Sequence, residues 1–323
     1  MHRKGIGSME FRKLGHTDFE VSPLCFGGNV FGWTVDEGTS FSLLDRFVDT
    51  GFNFIDTADV YSAWAPGNIG GESETIIGNW LKSRGLRHKV VIATKVGSEM
   101  GPDEKGLSPS YIRKAVDASL KRLQTDYIDL YQSHWDDPET PFEDVLGTYQ
   151  DLIKAGKVRA IGASNLTPGR LTEALEISRK HDLPRYETLQ PLYNLYDRSG
   201  FEDELEAICR DNQLGVINYY ALASGFLTGK YRSKDDLGQS ARGESVEKYL
   251  TDRGSRIIAA LDQVARANDA TPAQIAIAWL IAQPTVTAPI ASATRLTQLN
   301  ELIDAAQIKL DSEAIALLDK ASA

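Results

Sequence analysis

The chain has 323 residues, 42% of them hydrophobic and 25% charged, with a formal net charge of −10. That length allows one large domain or two ordinary ones, and the balance is typical of a soluble globular protein. The acidic excess argues against a nucleic-acid surface, and no apolar run approaches the ~18–20 residues that span a bilayer.

Residues 1–8 are basic and glycine-containing and read as a disordered or tag-derived tail, while the folded pattern begins at Met9. Glu10 to Leu14, a turn at Gly15 to Asp18, and Phe19 to Val21 predict a small hairpin. Leu24 to Asn29 is a first buried strand, whose Gly27 and Gly28 permit close approach of a ligand or of another backbone. Helices and strands then alternate. Helices are predicted over Ser40–Thr50, Glu72–Arg84, Ser108–Leu123 and Phe142–Gly156, and strands over Asn53–Asp56, Val90–Lys95 and Tyr127–His134.

The second half keeps this rhythm. Strands are expected at Val158–Ser164, Thr188–Pro191, Val216–Ala221 and Thr287–Ser292, with helices at Thr167–His181, Phe201–Asp211, Gly254–Asn268, Thr271–Gln283, Thr294–Ala306 and Asp311–Ala321. A loop of about thirty residues after Gly225 interrupts the alternation, and loops of that length usually carry function. Eight strand-then-helix units predict an α/β fold, a (β/α)8 TIM barrel with an N-terminal β-hairpin and extra C-terminal helices. A doubly wound sheet fits less well. No G-x-G-x-x-G follows the first strand and no linker breaks the pattern, so residues 9–323 form one domain. Cys25 and Cys209 lack metal or disulfide spacing and read as core residues. With no secretory signal in evidence, a cytoplasmic protein without a bound metal is expected.

Three successive strands finish in chemically distinct residues: Asp56, Lys95 and His134, with Tyr61 just beyond the first. In such barrels the strand C-termini open on one face, where catalytic groups gather. A free phenol titrates near ~10, and a neighbouring lysine cation favours its ionised form. Asp56 would keep Lys95 charged, and His134 could hydrogen-bond and orient a substrate oxygen. The set suits proton transfer to an oxygen while carbon is attacked, as in carbonyl reduction.

Other strand ends form a ligand cradle. Ser164, Asn165 and Gln190 offer amide-binding groups, and Tyr219 offers a stacking face, which together match a nicotinamide. Lys230, Arg232 and Arg242 on the long loop can grip phosphates. Ser292, Thr294 and Gln298 lead into a helix N-terminus that favours an anion. Two such phosphate sites suggest a dinucleotide with an extra phosphate. Trp33, Trp64 and Trp135 follow strands one, two and four and are expected to wall the substrate pocket toward apolar or aromatic carbonyls.

From Met9 onward the chain resembles the aldo-keto reductase superfamily. The resemblance is carried by Gly51-Phe-Asn-Phe-Ile-Asp-Thr-Ala-Asp-Val-Tyr61, Ala93-Thr-Lys95, Ser133-His134, Gly162-Ala-Ser-Asn165, Gly225-Phe-Leu-Thr-Gly-Lys-Tyr231 and Ser292-Ala-Thr294. It implies a barrel that binds NADPH in preference to NADH across the strand C-termini, with Gly28, Asn29, Leu222 and Gly225 also on the cofactor path. It further implies Tyr61 as proton donor, Lys95 and Asp56 as its tuning pair, and direct hydride transfer to a small-molecule carbonyl. Departures exist: Tyr220-Ala221-Leu222 stands where many members have Ser-Pro-Leu. The superfamily also includes channel-associated subunits, so a redox-sensing or partner-binding module with little turnover is the alternative, and a protein partner or homo-oligomer stays open. A hydrolase with paired carboxylates is disfavoured, because the natural neighbour of Asp56 is Lys95 and not a second acid.

Overall fold

The computed structural model describes residues 9–239 and 243–323; the expected tail at 1–8 and Arg242 lie outside the described residues. A two-stranded hairpin opens the fold, pairing β1 (Arg12–Lys13) antiparallel with β2 (Glu20–Val21). The barrel strands and helices then alternate: β3 (Cys25–Gly27), α1 (Glu37–Asp49), β4 (Phe54–Asp56), α2 (Glu72–Arg84), β5 (Val91–Val96), α3 (Pro109–Leu123), β6 (Ile128–Ser133) and α4 (Phe142–Lys154). There follow β7 (Val158–Ser164), α5 (Pro168–His181), β8 (Tyr186–Gln190), α6 (Ser199–Glu202), α7 (Leu205–Asp211), β9 (Gly215–Val216), α8 (Asp252–Ala267), α9 (Pro272–Ala282), β10 (Ile290–Ala291), α10 (Leu296–Ala305) and α11 (Ser312–Ser322).

The eight strands β3 to β10 are parallel and lie in the order β10-β3-β4-β5-β6-β7-β8-β9. The sheet curls until its two ends meet. Thr287 N–H donates to Val216 O at 2.8 Å, and Ile290 N–H donates to Asn218 O at 2.9 Å. This is the expected (β/α)8 barrel with its hairpin.

Two apolar layers hold it together, and they are physically separate. The larger lies between sheet and helices. The smaller fills the barrel interior with Phe54, Val91, Ala93, Leu130, Ala160, Ile217, Ala288 and Ile290, and the hairpin closes its lower end with Leu14, Phe19 and Val21. Each of the larger of these side chains (Val, Leu, Ile or Phe), once fully buried, contributes roughly 1.5–3 kcal/mol. The side-chain period of two decides what comes above this layer. Two residues after Phe54 stands Asp56, two after Ala93 stands Lys95, and two after Leu130 stands Gln132. The interior therefore turns from apolar to polar one step below the strand C-termini.

Some boundaries differ from the sequence expectation. α1 begins three residues earlier than predicted, because Asp36 caps it by accepting from Thr39 N–H. The helix expected over Phe201–Asp211 is broken in two where Glu204 leaves helical geometry (φ −137°, ψ −43°). The long loop is structured as three short 3-10 turns, Ala223–Thr228, Lys234–Gln239 and Gly243–Tyr249. Among the described residues no helix is long and apolar enough to cross a membrane.

Candidate active site

The polar interior layer converges on one carboxylate. Lys95 Nζ donates to Asp56 Oδ2 at 2.6 Å, to Thr57 O at 2.8 Å and to Tyr61 OH at 2.9 Å. The second oxygen, Asp56 Oδ1, accepts from Gln190 Nε2 at 3.0 Å and from Gln132 Nε2 at 3.2 Å. Asp56 and Lys95 are fully buried, so neither charge is tolerable without the other. The hydrogen bonds fill most of the acceptor sites of the carboxylate and all three donors of the ammonium.

Tyr61 is held at the rim by its own loop. The next residue, Ser62, has φ +74°, and its hydroxyl donates to Phe31 O at 2.7 Å. Asn68 Nδ2 then donates to both Gly32 O and Ser62 O. A positive φ in a serine is a strained conformation, and these bonds are what hold it. From the sequence, Lys95 is expected to lower the phenol pKa. Burial outweighs it: the Tyr61 hydroxyl is pushed up to about 12, with the Lys95 charge opposing and the Asp56 charge adding. For Lys95, burial favours the neutral form, but the charges and hydrogen bonds of Asp56 and Tyr61 prevail and raise its pKa. Protonated tyrosine and charged lysine are thus the neutral-pH state.

His134 follows β6, with its ring 6.0 Å from that of Tyr61. Burial, and then the charge of Lys95, hold its pKa well below the ordinary histidine value, so the ring is neutral. Its backbone is fixed on both sides: His134 N–H donates to Val96 O at 2.8 Å, and Asn165 Nδ2 donates to His134 O at 3.0 Å. Tyr219 OH donates to Asn165 Oδ1 at 2.8 Å, and Ser164 Oγ donates to Gln190 O at 2.8 Å. Ser164, Asn165, Gln190 and Tyr219 therefore lie together, and Gln190 and Asn165 tie them directly to Asp56 and to the His134 backbone. Asn165 (φ +55°) and Tyr220 (φ +56°) share the strained backbone of this rim.

The three tryptophans gather here too. Trp64 lies 6.0 Å from Tyr61 and 5.7 Å from Trp33, ring to ring, and Trp135 stacks on His134 at 5.8 Å and 14°. Trp64 and Trp135 are each about half exposed, at 49% and 50%.

Around the phosphate candidates the picture is mixed. Ser292 Oγ donates to Asn29 Oδ1 at 2.7 Å, joining β10 to the turn after β3. A side chain at Gly28 would strike Ser73 Oγ at 2.9 Å and Asp56 O at 3.1 Å, so this glycine admits neighbouring protein. Gln298 Oε1 accepts from both the N–H and the hydroxyl of Thr294 at 2.9 Å, tying the residue before the N-cap to the first turn of α10. Lys230 is exposed, with its amine beside Gly225. Arg232, by contrast, is engaged: it makes a two-pronged pair with Asp262 at 2.8 and 2.9 Å. Leu222 is half-buried on the turn that leads into this loop.

Four further residues, Gln132, Thr57, Ser98 and Asp59, belong to this region without having been named from the sequence. Gln132 was legible, since it lies two before His134 on the inward face. Thr57 acts through its carbonyl, which no sequence pattern marks. Ser98, two past the end of β5, contacts both His134 and Trp135. Asp59 is buried with neither oxygen hydrogen-bonded among the described residues, and burial followed by the charge of Glu74 pushes it up to about 8.

Comparison with known proteins agrees with this geometry. Residues 23–323 match the model of the aldo/keto reductase family. An uncharacterized oxidoreductase, YrpG, of Bacillus subtilis is 36% identical over 96% of this chain and 95% of its own. Protein tas of Escherichia coli is 33% identical over 96% and 97%, and the NADP(+) aldo-keto reductase yakc of Schizosaccharomyces pombe is 30% identical over 95% and 90%. With the barrel, the buried lysine–carboxylate pair and the rim tyrosine already in place, these matches settle the lineage: the chain is an oxidoreductase of the aldo/keto reductase family.

Proposed function

We propose that the protein is an NADPH-dependent reductase of aldehydes or ketones, with Tyr61 as the proton donor. The observation that carries this reading is the bridge made by Lys95, which holds Asp56 on one side and the Tyr61 hydroxyl on the other at the mouth of the barrel. A bound NADPH would supply the hydride. Everything else falls to the chain. His134, neutral and fixed by its backbone, donates a hydrogen bond to the carbonyl oxygen and orients it. The Tyr61 O–H bond breaks as its proton passes to that oxygen, which becomes the alcohol. Lys95 stabilises the phenolate left behind, and Asp56 keeps the lysine charged.

The donor set at the rim suits the cofactor. Ser164, Asn165, Gln190 and Tyr219 would hold the nicotinamide end, with Gly28, Asn29, Leu222 and Gly225 along its path. Lys230, Ser292, Thr294, Gln298 and the N-terminus of α10 would hold phosphates. Use of Arg232 would require breaking its pair with Asp262, and Lys230 is the better placed cation. Trp33, Trp64 and Trp135 would wall an apolar or aromatic carbonyl.

The test is NADPH oxidation over a panel of aldehydes, ketones and quinones, beside a Tyr61→Phe variant. Turnover should fall by about 10²–10⁴-fold in the variant while NADPH binding survives, as loss of a general acid requires. Tight NADPH binding with no turnover on any carbonyl would instead favour a redox-sensing or partner-binding module.

A further inference from the structure

β5 ends at Val96, and Gly97 then turns the chain with φ +114°, a conformation that side chains rarely adopt. The turn brings Ser98, itself buried, into hydrogen-bond contact with His134. Ser98 Oγ lies 2.9 Å from His134 Nδ1, and Trp135 Nε1–H donates to the same oxygen at 3.1 Å. An indole N–H can only donate, so Trp135 occupies a lone pair of the hydroxyl. The hydroxyl hydrogen then has one acceptor among its contacts, His134 Nδ1. In the opposite arrangement Ser98 would accept twice, and its own hydrogen would find no acceptor among the described residues. A neutral imidazole that accepts at Nδ1 carries its proton on Nε2.

We propose that Ser98 is a positioning residue: together with Trp135 it fixes His134 as the Nε2–H tautomer, leaving that N–H free to donate to the substrate oxygen. This also gives Trp135 a second task besides walling the pocket. Its stacked ring limits rotation of the imidazole while its N–H sets the direction of the serine hydroxyl. The role at the substrate oxygen rests on the carbonyl-reduction reading, whereas the tautomer itself does not.

The chain has five histidines, so the full-length protein carrying ¹⁵N-labelled histidine rings can be assigned directly, with His134→Gln identifying the signal of interest. At neutral pH the wild type should show His134 protonated at Nε2 and bare at Nδ1. Ser98→Ala should convert it to a mixture of tautomers and lower kcat by about tenfold, the worth of one ordinary hydrogen bond, with the NADPH dissociation constant unchanged. Ser98→Thr should restore both the ring pattern and kcat. Trp135→Phe, which keeps a stacked ring but removes the N–H, should move the pattern part of the way. A wild-type ring protonated at Nδ1, or a pattern unchanged in Ser98→Ala, would overturn the proposal, and an unchanged pattern in Trp135→Phe would overturn the part played by that indole. Absence of turnover on every carbonyl with the Nε2–H pattern intact would count against the reductase reading alone.

Discussion

Lys95 Nζ and Asp56 Oδ2 lie 2.6 Å apart with both side chains sealed inside the barrel. Removing one partner of such a pair leaves a buried charge without compensation, at a cost of about 3–5 kcal/mol. Lys95→Met should therefore lower the denaturation midpoint sharply and abolish turnover. The double variant Asp56→Asn, Lys95→Met should recover part of the stability and none of the activity. Equal midpoints for the single and double variants in chemical denaturation would refute the coupling.

The pH dependence follows from two shifts of opposite sign. A proton donor must be protonated, and Tyr61 loses its proton only as pH rises through about 12. His134, held well below the ordinary histidine range, gains a charge only in acid. Carbonyl reduction should thus show no break near the usual histidine pKa and stay flat on the alkaline side until pH nears the Tyr61 value of about 12. Alcohol oxidation, which needs the phenolate as base, should rise with pH from neutrality toward that value. A reduction profile that bends near pH ~6.5 in steady-state kinetics would contradict this.

Asp59 is predicted to cost stability. Its folded pKa is raised to about 8, above the value of an unfolded aspartate, so any stability it contributes is complete in acid and is lost as pH rises toward 8. Asp59→Asn removes the titration. The variant should be more stable than the wild type at pH 8, by on the order of a few kcal/mol, and the gap should close toward pH 4. Thermal denaturation across that range decides it. A gap that widens in acid would show that Asp59 is stabilised as the anion.

The tryptophans invite a size-dependent test. Trp64 presents about half its surface at the mouth beside Tyr61. Trp64→Ala should raise KM for aromatic carbonyls by about tenfold, as loss of a stacking face worth roughly 1 kcal/mol or more implies, and leave small aliphatic aldehydes nearly unaffected. Equal changes for both classes would remove Trp64 from the substrate wall.

Lys230 and Arg232 should behave differently despite their proximity in sequence. Lys230 is exposed, whereas Arg232 is held by Asp262. Lys230→Ala should weaken NADPH by about tenfold or more and leave NADH unchanged, since only NADPH carries the extra phosphate. Arg232→Ala should change neither dissociation constant appreciably. Titration of both cofactors by fluorescence separates the outcomes, and the reverse pattern would transfer the phosphate role to Arg232.

Much of this protein was determined locally, by its amino-acid sequence. The alternation of strand and helix signals favoured a barrel: the parallel strands are apolar on both faces, and a closed sheet buries one face in its interior and the other under the outer helices. Asp56, Lys95 and His134 were legible because they end successive strands, and in a parallel barrel all those ends share one face. What the tertiary structure decided depends on groups far apart in the chain and on the path of the turns between them. Burial outweighed Lys95 in setting the Tyr61 proton, Asp262 claimed Arg232, and the turn at Gly97 brought Ser98 onto His134 Nδ1. Desolvation and hydrogen-bond partnership are properties of the packed interior, and residue order along the chain does not contain them until the barrel closes.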